Sequence, residues 1–257
     1  MSDSRGNVRL AGADGCPGGW VVVFARPDGE VAPARLVPSF AEIVRAPERP
    51  HIIAIDVPIG LPKLSPAKGR LAESAVRPML GERRSSVFRI PSRPAVYASV
   101  AAEPADARAR FFHACQVARE TSEDGKAFAK QGFYILNKVV EVDTYLREHR
   151  DDVARVFETH PEVAFWRMNG ERPLSAPKKV KNKVYPPGLQ LRRDLLRRAG
   201  LPDSAVDQRP PMGAGEDDLI DALACVVIAR RIHAERAKPF PDPPPRDEFG
   251  LPMAIWA

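Results

Sequence analysis

Cysteine and long apolar runs are both scarce in this chain of 257 residues. The three cysteines, Cys16, Cys115 and Cys225, are scattered, so they form neither a disulfide framework nor a zinc site. No apolar run approaches the ~18 residues that span a bilayer. Residues 1–10 also lack the apolar core of a secretion signal. We therefore predict a soluble, cytoplasmic protein that does not bind membranes.

Proline and positive charge, by contrast, are abundant. The chain has 27 prolines, about twice the usual share of ~5%, which predicts many loops. The net charge of +6 is unevenly placed: residues 68–93 hold seven basic and two acidic residues, and residues 167–209 hold eleven basic and four acidic residues. The remainder of the chain is acidic. This distribution suits a polyanion steered toward an acidic centre, and solvated loops explain the charge equally well.

Apolar periodicity and turn residues predict a mixed α/β fold. Two strands joined by a glycine-rich turn at residues 15–19 come first, and a third strand follows over residues 31–37. A continuous apolar run at residues 51–57 predicts a strand buried on both faces. The next strand is predicted at residues 152–158, after a long helical segment. The clearest helical pattern covers residues 217–234.

This order of elements is that of the ribonuclease-H-like fold. It predicts a mixed five-stranded sheet in the order 3-2-1-4-5, with strand 2 antiparallel, helices on both faces and a helical insertion after strand 4. We predict a single domain over residues 1–257. Within it, the insertion covers residues 58–150, and a proline-rich C-terminal tail covers residues 239–257.

Acidic residues occupy matching places on this predicted sheet. Asp14, Asp56 and Glu158 each end a strand, and ligands bind beyond the carboxyl ends of strands in open α/β sheets. Asp218 and Asp221 are three residues apart on the last helix and so share a face. Small residues further along that face would let the helix lie close to the sheet, with both aspartates aimed at the strand ends. Taken singly, Asp14 and Asp56 are also explained as turn residues.

Convergence of these acids would have an electrostatic consequence. Two like charges ~4 Å apart repel by about 4 kcal/mol at an effective dielectric of ~20. Four or five carboxylates must therefore either bind protons or share a dication. Oxygen ligands without a Cys/His cluster favour Mg²⁺ or Mn²⁺. Paired ions of this kind hydrolyse phosphodiesters by in-line displacement.

Six motifs in the chain are distinctive. They read GADGCPGGW at residues 12–20, IDVPIGLP at 55–62, RSSVF at 84–88, NKVVEVD at 137–143, ETHPE at 158–162 and DDLIDALA at 217–224. The motifs resemble the bacterial and archaeal family called domain of unknown function 429, and the resemblance spans roughly residues 8–234. That family is regarded as a family of predicted ribonuclease-H-like nucleases, related in fold to Holliday-junction resolvases. The resemblance implies Asp14, Asp56 and the Asp218/Asp221 pair as metal ligands, whereas Glu158 is added from its strand position.

The leading hypothesis is therefore a Mg²⁺- or Mn²⁺-dependent nuclease that acts on DNA or RNA. Its catalytic carboxylates would be Asp14, Asp56, Glu158, Asp218 and Asp221. The predicted substrate-binding residues are Arg83, Arg84, Ser85, Ser86, Lys138, Lys178, Lys179, Lys181 and Lys183. Two alternatives stay open: a non-catalytic nucleic-acid-binding module that binds metal poorly, and an actin-like phosphotransferase, for which we find one phosphate loop instead of two. The sequence also leaves open whether the protein forms a homodimer.

Overall fold

A five-stranded mixed sheet forms the centre of the molecule. The computed structural model describes residues 8–181 and 183–257. The strands are β1 (Leu10–Cys16), β2 (Gly19–Ala25), β3 (Arg35–Val37), β4 (Ile52–Ile55) and β5 (Val156–Glu158). They lie in the order β3-β2-β1-β4-β5, with β2 antiparallel to both of its neighbours and β4 parallel to β1 and β5. The predicted strand order and the antiparallel second strand are confirmed.

Ten α-helices surround this sheet in the described part of the chain. They are α1 (Phe40–Val44), α2 (Leu71–Val76), α3 (Arg93–Ala98), α4 (Ala107–Glu120), α5 (Lys130–Phe133), α6 (Leu136–Glu148), α7 (Pro161–Met168), α8 (Pro186–Arg198), α9 (Asp203–Val206) and α10 (Glu216–His233). Two 3₁₀ helices cover Arg77–Ser86 and Arg150–Arg155. Helices α2–α6 lie between β4 and β5 in the sequence, which places the predicted helical insertion after strand 4.

Strand residues alternate between two apolar cores, one on each face of the sheet. Trp20 and Val22 pack with α1, α3, α4 and α6 on one face. Val21 and Val23 pack with α7, α8 and α10 on the other face. Because successive side chains of a strand point to opposite faces and helices cover both faces, every residue of β2 is buried. Helices on both faces are thus confirmed.

Helix α10 lies directly against β1, and Gly12 makes this approach possible. A Cβ atom at Gly12 would stand 2.3 Å from the backbone nitrogen of Val226 and 2.4 Å from the carbonyl oxygen of Ala222. No side chain fits there, so the backbones of the helix and the strand are in contact. The small residues Cys225 and Ala229 continue the same packing against Leu10 and β4. This contact fixes the height of α10 above the sheet.

Several elements depart from the predicted boundaries. The third strand begins at Arg35 instead of residue 31, because Pro33 has no amide hydrogen for the ladder, and Val31 makes only an isolated bridge to Ala25. The strand predicted from residue 152 begins at Val156, since the preceding residues form a 3₁₀ helix. The lysine-rich segment at residues 178–184 contains a small hairpin, in which β6 (Lys179–Val180) pairs with β7 (Lys183–Val184).

The C-terminal tail is more ordered than its proline content indicates. It contributes β8 (Pro239–Phe240) and β9 (Ile255–Trp256), which pair with each other. The Thr159 hydroxyl, just after β5, donates to the carbonyl oxygen of Trp256 at 2.8 Å and so ties the tail to the sheet. Across the described ranges, no helix is both long and apolar enough to cross a membrane. The prediction about a secretion signal concerns residues 1–10, of which 1–7 lie outside the described residues.

Candidate metal centre

Strand register places Asp14 beside Asp56. β1 and β4 run parallel, with Ala13 opposite Ile55, and the amide of Asp56 donates to the carbonyl oxygen of Ala13 at 3.0 Å. Gly12 and Ala54 face α10 two positions earlier. Because side chains alternate along a strand, Asp14 and Asp56 project from the same face as these residues, toward α10. Asp56 follows directly on β4 as predicted, whereas Asp14 does not end its strand, because β1 continues in its pairing with β2 as far as Cys16.

Asp221 completes the group from α10. It lies just before Ala222, whose carbonyl oxygen is in contact with Gly12 of β1. The carboxylates of Asp14, Asp56 and Asp221, hereafter the acidic triad, can each offer an oxygen within 4.8 Å of the others. Asp221 is 1% exposed and Asp14 is 8% exposed, whereas Asp56 is only partly buried. Three carboxylates thus share one poorly hydrated site at the carboxyl ends of β1 and β4.

Burial and mutual repulsion raise the pKa values of the triad. Burial is the largest influence on Asp14, and the charges of Asp56 and Asp221 raise its pKa further, well above the ordinary value. Burial likewise raises the pKa of Asp221 to about 6, although Lys178 lowers it. The pKa of Asp56 is raised by burial, against the opposing influence of His160. The site therefore favours any species that brings positive charge, whether protons or a cation.

Lys178 supplies one such charge. Its ammonium group donates to Oδ2 of Asp221, and its side chain is 32% exposed. Burial alone would lower the pKa of Lys178, but Asp221 and Asp14 raise it above its ordinary value. The lysine is therefore a charged neighbour of the triad and not a free surface group. The sequence predicts Lys178 only as a substrate-binding residue, because the 43 residues that separate it from Asp221 give no signal of contact.

Of the neighbouring lysines, one forms an ion pair with α10 and two are exposed to solvent. Lys179 forms an ion pair with Asp217 at 2.5 Å, and Asp217 is buried in the first turn of α10. Lys181 and Lys183 are exposed on the hairpin. Of the four predicted phosphate-binding lysines, only this last pair lies wholly on the surface, while Lys178 and Lys179 face acids.

Asp218 and Glu158 are not part of the acidic triad. Asp218 accepts a hydrogen bond from the amide of Gly215 at 2.8 Å, which caps the start of α10. Glu158 pairs with Ile55 in the sheet, one position before Asp56. Since alternate residues of a strand face opposite sides, Glu158 projects from the other face. Strand position alone did not reveal this alternation.

Glu158 instead meets a buried arginine that sequence reasoning missed. Arg70 donates to both oxygens of Glu158, at 2.6 and 3.0 Å, and to Oε1 of Glu73 at 2.7 Å. Its remaining donor capacity goes to the carbonyl oxygens of Ile59 and Gly60. The two carboxylates raise the pKa of Arg70, although burial opposes them. This clamp holds the loop after β4 against β5. The close spacing of Arg70 and Glu73 was its only sequence signal.

His160 and Glu162 border the triad at the start of α7. The amide of Glu162 donates to Nδ1 of His160 at 3.2 Å, so the Nε2–H group donates to the carbonyl oxygen of Ser86 at 3.3 Å. Glu162 forms an ion pair with the fully buried Arg192. The negative charge of Glu162 raises the pKa values of Asp56 and Asp221. His160 therefore serves as a helix cap that also links α7 to the insertion.

Two buried carboxylate oxygens near this centre have no hydrogen-bond donor in the described residues. They are Oδ1 of Asp221 and Oε2 of Glu162. A buried acceptor without a donor is costly unless an ion or water completes it. Because the available ligands are all carboxylate oxygens, the donor set fits a hard dication such as Mg²⁺ or Mn²⁺. The residues present therefore fit the metal that the sequence implied.

A cavity of about 830 Å³ opens onto the triad and contains most of the predicted substrate-binding residues. Arg83, Ser85 and Ser86 line it from the first 3₁₀ helix, and exposed Arg84 lies on the same helix outside the lining. Lys138 also lines the cavity, but its ammonium group lies 3.3 Å from Glu141 and 5.0 Å from the centre of the Trp20 ring.

Fold and site together define an α/β protein with the strand order of the ribonuclease-H-like fold and a carboxylate centre at the ends of its central strands. The family model described as protein of unknown function (DUF429) matches residues 12–246, so the chain belongs to that family. Neither a search of curated proteins nor a search of solved structures found a match.

Proposed function

We propose that this protein is a metal-dependent nuclease that hydrolyses phosphodiester bonds in DNA or RNA. The observation that carries the proposal is the acidic triad: three carboxylates from two strands and one helix, within 4.8 Å of one another and mostly buried. A purely structural site has no reason to bring together three acids that share a single ammonium group, since each ionised pair repels by several kcal/mol at this separation. Oδ1 of Asp221, which has no donor among the described residues, supports the same conclusion.

Asp14, Asp56 and Asp221 would hold Mg²⁺ or Mn²⁺, and Glu162 borders them with a free carboxylate oxygen. The metal, when bound, would activate water and neutralise charge on the phosphate. The protein residues carry the remaining roles. Arg83 and the hydroxyl groups of its 3₁₀ helix would bind phosphate oxygens at the cavity wall, because an arginine presents several donors in a fixed geometry.

Thermal unfolding tests the metal site. A metal that binds only the native state adds RT ln(1 + [L]/Kd), about 2.7 kcal/mol at one hundred times Kd. We expect the melting temperature to rise in Mg²⁺ or Mn²⁺ relative to EDTA for the wild type. No shift with either metal would contradict the proposed centre.

Asp14→Asn tests the chemistry. The variant should lose metal-dependent cleavage of single-stranded and duplex substrates, yet remain as stable as the wild type in EDTA because one repulsive charge is removed. Asp151→Asn, at an exposed position, serves as the matched control and should cleave normally. Unfolding of Asp14→Asn in EDTA would instead mark Asp14 as a structural turn residue.

A second candidate, a nucleic-acid-binding module without catalysis, is favoured by one observation. The ammonium group of Lys178 already contacts Asp221 and supplies positive charge to the triad. A protein that had lost catalysis would keep this ion pair and its basic surfaces but bind metal weakly. Binding of oligonucleotide without any thermal response to metal would favour this candidate.

We also propose a cytoplasmic location. The three cysteines are all unpaired and buried, which suits a reducing compartment where thiols stay reduced. Partition of the protein with the cytosolic fraction in cells that express it would test this.

A further inference from the structure

The insertion turns the metal centre into a walled cavity. The acidic triad forms its floor, and the corner between α5 and α6 forms one wall. This corner lies over β1, since the Lys138 side chain would stand 3.1 Å from a Cβ atom at Gly15. The first 3₁₀ helix also lines the cavity and is tied to the start of α7 by the hydrogen bond between His160 and the carbonyl oxygen of Ser86. At about 830 Å³, the cavity matches the ~300–1,000 Å³ of small-molecule sites.

Aromatic rings and side-chain amides line the insertion side of this cavity. Tyr134 lies at the end of α5 and is 67% exposed, although it borders the cavity. Phe88 lines the cavity as well and is partly buried. Such rings provide stacking faces for bases of any sequence. Gln131 and Asn137 add amide groups, which can pair with the hydrogen-bonding edges of bases.

Cationic donors lie in the same cavity. Lys178 contacts the triad, and Arg83 borders the cavity with its side chain 23% exposed. The Nε donor of Arg83 is buried without a partner in the described part of the chain, and its Nη2 atom lies 3.8 Å from Glu82. The cavity thus offers phosphate-binding donors together with flat apolar faces. A nucleotide unit combines the two matching parts, a phosphate and a flat base.

We propose that the cavity receives a single nucleotide unit whose base is out of the helical stack and rests on Tyr134 and Phe88, so that the substrate is single-stranded. This inference rests on the proposed nuclease function. In a duplex the base is paired and stacked, so it reaches such a cavity only after flipping, which is energetically costly. At about 830 Å³, the cavity is large enough for a nucleotide unit and much smaller than a length of duplex.

Equilibrium binding tests the proposal independently of cleavage. Fluorescence anisotropy would compare a labelled single-stranded oligonucleotide with the same strand in a duplex, with Ca²⁺ in place of Mg²⁺ and intact substrate checked on a gel. A free mononucleotide would be tested by competition and by calorimetry. We expect the single strand to bind at least about tenfold more tightly than the duplex.

Variants of Tyr134 test the stacking contact. Tyr134→Ala should weaken single-strand binding by roughly 5- to 150-fold, the loss equivalent to one base–aromatic stack. Tyr134→Phe keeps the ring and should bind nearly as well as the wild type. Phe112→Ala is the matched control, because Phe112 is also an exposed aromatic residue but lies on α4, outside the cavity lining.

The possible results separate this inference from the proposed function. Equal or tighter duplex binding, or full binding by Tyr134→Ala, would overturn the single-nucleotide cavity and leave the nuclease proposal standing. Tyr134-dependent binding of the mononucleotide alone would support the cavity and overturn its use on nucleic acid. Failure of all three ligands to bind would overturn both.

Discussion

Replacement of Lys178 by methionine separates the charge of this lysine from its bulk. The three carboxylates lie within 4.8 Å of one another. At that separation each ionised pair repels by about 3.5 kcal/mol at an effective dielectric of ~20, or about 10 kcal/mol for three pairs. That sum is comparable to the whole stability of a typical domain, ~5–15 kcal/mol. In the absence of metal, the Lys178 ammonium group offsets much of this repulsion.

We expect Lys178→Met to lower stability in EDTA. Loss of one partner from a buried ion pair costs about 3–5 kcal/mol. Because 32% of the Lys178 side chain is exposed, solvent screening reduces this cost to about 2–3 kcal/mol. For a chain of this size that corresponds to roughly 4–12 °C in melting temperature. Bound Mn²⁺ would supply the missing charge, so the metal-induced rise should be larger in the variant than in the wild type.

Thermal melts followed by circular dichroism, in EDTA and in Mn²⁺, check this expectation. Lys183→Met is the control, since Lys183 is exposed on the same hairpin, and its melts should match those of the wild type. The reasoning is refuted if Lys178→Met is as stable as the wild type in EDTA. It is refuted equally if the metal-induced rise shrinks, because Lys178 would then help to bind the metal or its ligands.

Three further predictions concern the supports of the site. Gly12→Ala should destabilise by about 3 kcal/mol or more in a urea titration, because the new Cβ meets backbone atoms of α10 that cannot move aside. Gly132→Ala is the control and should be nearly neutral, because its Cβ would make only an ordinary van der Waals contact, 4.0 Å from a ring carbon of Phe128. Asp218→Ala should lower the free energy of unfolding by about 1 kcal/mol, because a helix cap is lost, but its melting temperature should still rise in Mn²⁺. Asp221→Asn should abolish that rise in melting temperature. The reverse pattern would make Asp218 the metal ligand. The pKa values of the triad are raised in the folded protein, so the folded state binds protons more tightly than the unfolded state. The stabilisation of the fold that results from this proton binding is fully present below pH ~4 and is lost as pH rises through the folded pKa values. In thermal melts in EDTA, the acidic triad should therefore stabilise the fold more at pH 5 than at pH 7. Asp221→Asn should reduce the difference in stability between the two pH values. An unchanged difference would contradict the assignment of this pH dependence to the triad.

The positions of the two aspartates on the sheet were predictable because ligands bind at the carboxyl ends of strands in open α/β sheets. Asp56 directly follows β4, and Asp14 lies near the end of β1, which continues to Cys16; both residues stand where the parallel pairing of β1 with β4 ends. Asp221 was predictable from the small residues on its helix face, which lie against Gly12. These inferences depend on periodicity and local order, and both are present in the sequence.

Other parts of the site depend on contacts between distant segments. Glu158 was misplaced because one step along a strand reverses the face of a side chain, and a strand of three residues gives too little pattern to fix its facing. The pairing of Arg70 with Glu158 joins residues 88 apart, and that of Lys178 with Asp221 joins residues 43 apart. Neither pair has a periodic signal, so the charge of each residue was visible but its partner was not.

The contact of α10 with β1 has a consequence for biosynthesis. The ribosome adds 207 residues between Asp14 and Asp221 (221 − 14). At ~5–20 residues per second, the interval is about 10–40 s. During that time a nascent chain can pair β1 with β4 and set Asp14 beside Asp56, but the groove at Gly12 stays uncovered and the third carboxylate is missing. The triad therefore cannot assemble on a chain that lacks α10, and translation itself delays the appearance of the candidate metal centre until α10 has docked.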